Sequence, residues 1–262
     1  MQTKRIYFVS DAHLGVPDYT SSLEREKLLI SWLEQVRQDA DEIYLLGDIF
    51  DFWFEYKSVV PKGFVRLLGK IAEICDSGIP VHYFTGNHDM WIFSYFEKEL
   101  GVIMHRSPQE REIGGKLFYI AHGDGLGPAD YGYKLLKKVF ASRISQKLFS
   151  WLHPGFGTSL ALYLSRKSRM ANGHKDEIFL GEEKERLIVF CREMLKQKPF
   201  HYFIFGHRHL PLNIEVGPQS RYINTGEWVK SFSYAFFDGE QLHLKFFSPT
   251  QENIAPNTQK TP

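Results

Sequence analysis

The chain has little to hold it together covalently and nothing to hold it across a bilayer. Only two of its 262 residues are cysteine, Cys75 and Cys191. Each lies in a stretch with helical spacing, nothing resembles a disulfide framework, and a reducing compartment is expected. No apolar run approaches the ~20 residues of a membrane span. The opening MQTKRIYFVSDAH offers only Ile6 to Val9, too short for the h-region of a signal peptide. Neither charge is in excess: 32 Lys and Arg stand against 31 Asp and Glu, a net of +1. No global field therefore points to nucleic acid. Internal repeats are absent. What remains is an ordinary globular balance, 43% hydrophobic and 24% charged, with a high aromatic content of 15%. The length suits one large domain or two small ones.

Short apolar runs recur, and several end in a polar cluster. Ile6 to Val9 precedes Asp11 and His13; Ile43 to Leu46 precedes Asp48 and Asp51. Val81 to Phe84 precedes Asn87, His88 and Asp89, and Leu117 to Ala121 precedes His122 and Asp124. The fifth, FIFGHRHLPL, places His207 and His209 two apart just past Tyr202 to Phe205. In an extended backbone, residues i and i+2 share a side, so the two imidazoles are expected to face one object. Helical patterns over Leu23 to Arg37 and Phe64 to Cys75 separate the first three runs. Strand–helix alternation predicts an α/β sheet with right-handed crossovers, whose sites lie at the carboxyl ends of strands. All five clusters are placed there.

Residues 131–175 differ. Their apolar spacing is helical, and their nine charged side chains are all basic. An inserted helical lid is expected, on a domain spanning 1–248, with 249–262 as a polar, proline-containing tail expected to be disordered.

Asp11, His13, Asp48, Asn87, His122, His207 and His209 combine carboxylates, imidazoles and one carboxamide. Mixed nitrogen and oxygen ligation suits Mn, Fe, Zn or Co better than Ca or Mg. Seven ligands exceed one mononuclear site and fit a pair of ions, with Asp48 able to bridge. Two ions about 3.5–4 Å apart can clamp a phosphoryl group for in-line displacement. Any one cluster reads equally as polar capping; five at five strand ends do not.

In order, DAH at 11–13, GDIFD at 47–51, GNHD at 86–89, HGD at 122–124 and GHRH at 206–209 resemble the signature of calcineurin-like metallophosphoesterases. The resemblance runs from about residue 4 to 245. It implies an αββα sandwich of two mixed β-sheets flanked by helices. It also implies one metal on Asp11, His13, Asp48 and His209, and another on Asp48, Asn87, His122 and His207. GDIFDFWF, HGDGLGPADYGYK and the basic helical insertion are similar to the UDP-2,3-diacylglucosamine hydrolases of lipid A biosynthesis, with Asp130 and Tyr133 in matching places. One position departs: that branch carries Arg where this chain has His88, the general choice of the superfamily.

The resemblance implies Mn2+-dependent pyrophosphate hydrolysis, releasing UMP and 2,3-diacylglucosamine 1-phosphate. His88 is expected to serve the leaving oxygen, with Asp51 orienting its ring. Asn87, His88, Asp130, Tyr133, Arg166, Ser168, Arg169 and Lys175 are the expected substrate contacts. Asp124 is expected behind a ligand histidine. Arg208 reads either as a phosphate contact or as a surface residue. His82 and the remaining histidines read as structural, and Trp53, Phe54 and Trp91 as core or pocket wall. The basic, apolar lid fits an acylated UDP-sugar and the inner membrane surface. The expected place is cytoplasmic and peripheral on that membrane, with no nucleic-acid partner and no obligatory protein partner. The competing readings are a phosphodiesterase or phosphatase for a soluble nucleotide, and a non-catalytic scaffold.

Overall fold

The computed structural model describes residues 4–129, 131–176 and 178–248, and their side chains except those of 168–176. Apolar residues on both sides of short strands dictate burial on both faces. β1 (Ile6–Val9), β2 (Glu42–Leu45), β3 (Val81–Phe84) and β4 (Ile103–His105) run parallel in one sheet. β10 (Ser233–Phe237) and β11 (Leu242–Phe246) join it antiparallel, giving the order β11-β10-β1-β2-β3-β4. The second sheet has the order β5-β6-β7-β9-β8. Its centre is parallel: β6 (Lys116–Ile120), β7 (Tyr202–Phe205) and β9 (Ser220–Thr225). β5 (Gln109–Ile113) and β8 (Pro211–Gly217) close its edges antiparallel.

The period of two along each strand separates three cores. Ile6, Phe8, Tyr44 and Leu46 meet Phe118, Ile120, Ile204 and Ile223 between the sheets. Tyr7, Val9, Ile43 and Leu45 face outward onto α1 (Tyr19–Val36) and α2 (Val65–Asp76). Phe203, Phe205 and Tyr222 face outward onto α7 (Arg186–Leu195). The layers are therefore helix, sheet, sheet, helix. β1, β3 and β7 match the expected runs to the residue, and the helical patterns fall within about four residues of the ends of α1 and α2. The antiparallel strands β8, β10 and β11 and the short α3 (Tyr95–Glu99) were not foreseen.

α1 starts where Asp18 accepts a hydrogen bond from the Ser21 amide at 2.9 Å, an N-cap. Its inner face carries Leu29, Trp32, Leu33 and Val36, and also the buried charges Arg25 and Glu26. Arg25 donates to the carbonyls of His13 and Val16, fixing the loop after β1. Glu26 accepts from the Leu67 amide at 3.1 Å, satisfying a free donor in the first turn of α2.

Residues 131–176 form three helices, α4 (Tyr131–Ala141), α5 (Arg143–Ser150) and α6 (Pro154–Asp176). Neither α4 nor α5 contains a buried residue. Their attachment is aromatic. Phe149 of α5 packs on Phe54 and Trp91, with ring centroids 4.8 and 4.7 Å apart, and the Trp91 indole donates to the Phe140 carbonyl at 2.9 Å. Trp53, by contrast, is core, packed on Phe50 and Phe96. No described helix is long and apolar enough to cross a membrane.

α2 holds a glycine, Gly69, in its interior, and a β-carbon there would meet nothing within 4 Å. Gly69→Ala is expected to stabilise the protein by about 0.5–1 kcal/mol, the helix-propensity difference. Thermal denaturation checks this; an unchanged or lower midpoint contradicts the assignment of an open helical site.

Candidate metal centre

The chain leaves β1, β2 and β7 by sharp, left-handed turns. Backbone pairing continues just past β1 and β2: the Asp11 amide donates to Gly47, His13 to Asp48 and Leu14 to Ile49. Asp11, His13, Asp48, His207 and His209 all have φ between 43° and 69°, five of the eight non-glycine residues with positive φ among the described residues. Such conformations cost about 1–3 kcal/mol each and persist where the surroundings over-determine them. The expectation that His207 and His209 share a side through extended geometry is corrected here. β7 ends at Phe205, both histidines are left-handed, and they go to different groups.

The first group is Asp11, His13 and His209, with ligand atoms mutually within 4.8 Å. The His13 and His209 Nε2 atoms are 3.0 Å apart, and Asp11 Oδ1 lies 3.3 Å from His209 Nε2. The second group is Asp48, His122 and His207. Asn87 joins it, its Oδ1 lying 3.3 Å from His122 Nε2. His122 Nδ1 donates to the Leu46 carbonyl at 2.7 Å, so Nε2 is the nitrogen turned toward Asp48 Oδ2, 3.4 Å away. The backbone carbonyl of Leu46, not Asp124, is thus the group behind this histidine. Asp124 instead accepts from the Tyr133 hydroxyl at 2.6 Å and pairs with Lys137 at 2.7 Å.

A third group, His13, Asp51 and His88, abuts the first. Asp51 Oδ1 is 3.4 Å from His13 Nδ1 and 3.5 Å from His88 Nδ1. Asp51 therefore stands behind two imidazoles, where only His88 was expected. His88 Nδ1 also lies 3.0 Å from the Asp51 carbonyl. Ser165 of α6 enters here: its hydroxyl donates to Asp51 Oδ2 at 2.9 Å and sits 3.2 Å from His88 Nδ1. Nothing in the sequence distinguished this serine from its neighbours, because the contact depends on how α6 lies over the sheets.

Glycine sets the closeness. A β-carbon on Gly86 would overlap Asp48, reaching 2.6 Å from its amide nitrogen, and one on Gly206 would lie 2.5 Å from Asp11 Oδ2. The glycines of GNHD and GHRH are thus the space in which two carboxylates are held.

The electrostatics suit cation binding. Burial pushes the Asp48 carboxyl up, but His122 and His88 outweigh it and hold it well below the usual range. Asp11 is likewise lowered, burial being outweighed by His209. Burial, then the neighbouring imidazoles, keep His13 and His207 below the ordinary histidine value and hence neutral. Burial lowers His122 too, but Asp48 overrides it and raises the group to about 10. Asp11 Oδ1 is buried with no hydrogen-bond partner. That oxygen, beside His209 and the neutral ring of His13, belongs to a mixed carboxylate and imidazole donor set that fits a divalent cation.

The other expected residues are placed as follows. Tyr133 lies with its ring 6.4 Å from that of His207. Arg166 is exposed and donates to the Pro17 carbonyl at 3.2 Å. Asp130, the side chains of Ser168, Arg169 and Lys175, and residues 249–262 lie outside the described residues. Arg208 is half-buried, and its guanidinium forms a bidentate pair with the buried Glu185, at 2.7 and 3.0 Å. His82 is structural, 2.9 Å from His105 and 3.3 Å from Glu42.

Comparison with known proteins agrees with this geometry. The model of the calcineurin-like phosphoesterase family matches residues 4–211. A UDP-2,3-diacylglucosamine hydrolase of Porphyromonas gingivalis is 38% identical over 92% of this chain and 97% of its own. Proteins of the same name from Aeromonas hydrophila and Yersinia pseudotuberculosis are 28% and 26% identical, over 86% and 78% of this chain and 91% and 81% of theirs. The chain belongs to the calcineurin-like phosphoesterase family, and it is a metal-dependent hydrolase.

The raised His122 generates a prediction. A histidine raised above its unfolded value contributes stability that is complete below about pH 6.5 and is lost as pH rises through about 10. In chelator, thermal stability should therefore fall between pH 7 and 10. Because a cation needs the neutral ring, the stabilisation by added Mn2+ should grow over the same range. Melting curves with chelator and with metal check both signs; a metal effect that shrinks as pH rises contradicts this role for His122.

Proposed function

We propose that this chain cleaves the pyrophosphate of UDP-2,3-diacylglucosamine, releasing UMP and 2,3-diacylglucosamine 1-phosphate for lipid A biosynthesis. The observation that carries the reading is the juxtaposition of a phosphoesterase centre with α4–α6. Those helices leave Leu135, Ile144, Trp151 and Phe156 at least 60% exposed, among charges that are all basic over 131–175. Basic groups suit the phosphates and anionic headgroups, and the apolar side chains suit acyl chains. Each methylene buried adds about 0.8 kcal/mol, so a few carbons would dominate affinity. The names of the relatives support the same substrate. On this reading α4–α6 act as a lid on the domain of residues 1–248. Tyr133, Arg166 and, outside the described residues, Asp130, Ser168, Arg169 and Lys175 are its substrate contacts. The protein works at the cytoplasmic surface of the inner membrane.

Asp11, His13, Asp48 and His209 would hold one cation, and Asp48, Asn87, His122 and His207 the other, with Mn2+ as the proposed ion. Two such ions activate water and neutralise the phosphoryl oxygens for in-line displacement. Asp48 stands with His122 and His207 in the second group, and on this reading it also serves the first. Asp51 keeps the His13 and His88 rings in place. The Asp51 carbonyl accepts from His88 Nδ1–H, so the imidazolium form of His88 would present its Nε2–H to the departing oxygen and return to the neutral ring on giving up that proton.

Purified protein with Mn2+ is expected to release UMP from the acylated UDP-sugar and far less from UDP-glucosamine. Equal rates on the two would favour a soluble-nucleotide hydrolase. His88→Ala should lower kcat by roughly 10²–10⁴-fold without changing metal content. Its defect should shrink for a leaving group that needs no proton. An equal defect for good and poor leaving groups would contradict the proton-donor role.

A further inference from the structure

We propose that Ser165 is a positioning residue, the contact through which α6 sets the orientation of the Asp51–His88 pair. The inference rests on the role for His88 proposed above. Three observations converge on one hydroxyl. Ser165 donates to Asp51 Oδ2 at 2.9 Å and approaches His88 Nδ1 at 3.2 Å. Asp51 is fully buried, and its other oxygen faces both His13 and His88. Ser165 belongs to a helix outside the two-sheet body, whereas Asp51 and His88 follow β2 and β3 within it.

The geometry gives the hydroxyl work that another side chain on α6 would not do. A carboxylate between two imidazoles can tilt toward either, and a hydroxyl donating to Oδ2 fixes its plane. With that plane fixed, Oδ1 stays between His13 and His88. The hydroxyl oxygen lies on the Nδ1 side of His88, where it and the Asp51 carbonyl can both accept from the Nδ1–H. The ring is then held in the rotation that turns Nε2 outward, with Nδ1–H retained when Nε2 gives up its proton. Asp51 and His88 are complete only when α6 is seated. Occupancy of the helical layer by substrate is thereby coupled to the geometry of proton donation, as in sites that a closing element completes.

The test uses metal-loaded, full-length enzyme and aryl phosphodiesters of graded leaving-group pKa, so it does not depend on the UDP-sugar assignment. Ser165→Ala is expected to lower kcat on the order of tenfold for poor leaving groups. The loss should be smaller for p-nitrophenolate, with KM within about twofold. Ser165→Thr, which keeps the hydroxyl, should restore most of the rate. In a His88→Ala background, Ser165→Ala should add nothing, since it acts through that ring. The proposal is overturned if Ser165→Ala raises KM alone, if its kcat loss is the same for all leaving groups, or if Thr is as poor as Ala. It is also overturned if the loss persists unchanged without His88. Failure of the His88 reading shows separately, as a His88→Ala enzyme with no leaving-group dependence while Ser165→Ala retains its own effect.

Discussion

The buried carboxylate of Asp48 is the constraint around which the site is built. Its side chain is 2% exposed and lies close enough to Asp11 for the two to repel. Taking an ion from water costs several kcal/mol even after relaxation. The fold answers with the His88 amide, which donates to Oδ1 at 2.8 Å, and with the His122 ring beside Oδ2. Asp89 ties the GNHD loop to β2 and β3 by accepting from the Gly86 and Ile49 amides and the Tyr83 hydroxyl. Burial, then the charge of Asp48, pushes Asp89 itself up to about 6. A site so rich in buried carboxylate and imidazole gains most from a cation. That is why the centre and the fold are one problem rather than two.

The aromatic content finds its use in two places. Within the body, Trp32, Trp53 and Trp228 fill the layer between the first sheet and its helices. Outside it, Phe52, Phe54, Trp91 and Phe149 join α5 to the loops that follow β2 and β3. The same loops carry Asp51 and His88. Helices with few buried residues of their own are thus fastened next to the chemistry by ring contacts, and their apolar side chains stay exposed.

The ligand clusters were legible because each follows an apolar run and consists of residue types with few other reasons to recur together. The αββα layering was legible only through the resemblance. Strand and helix patterns alone pointed to an α/β sheet but not to a second sheet, since the edge strands β5 and β8 mix exposed and half-buried residues and give no apolar run. The reason His207 and His209 separate was not legible either, because positive φ at a non-glycine residue has no local signature. The ion pair of Arg208 was not legible for a related reason: its partner Glu185 is 23 residues away, just before α7. Ser165 needed the packing of a helix against a loop more than a hundred positions earlier.

Electron paramagnetic resonance of the Mn2+-loaded protein tests the central claim most directly. With Asp48 as the shared ligand proposed above, two Mn2+ ions per chain should give an exchange-coupled spectrum, and Asp48→Ala should abolish the coupling. One ion per chain, or two with the six-line signal of isolated Mn2+, would contradict a centre organised around that carboxylate.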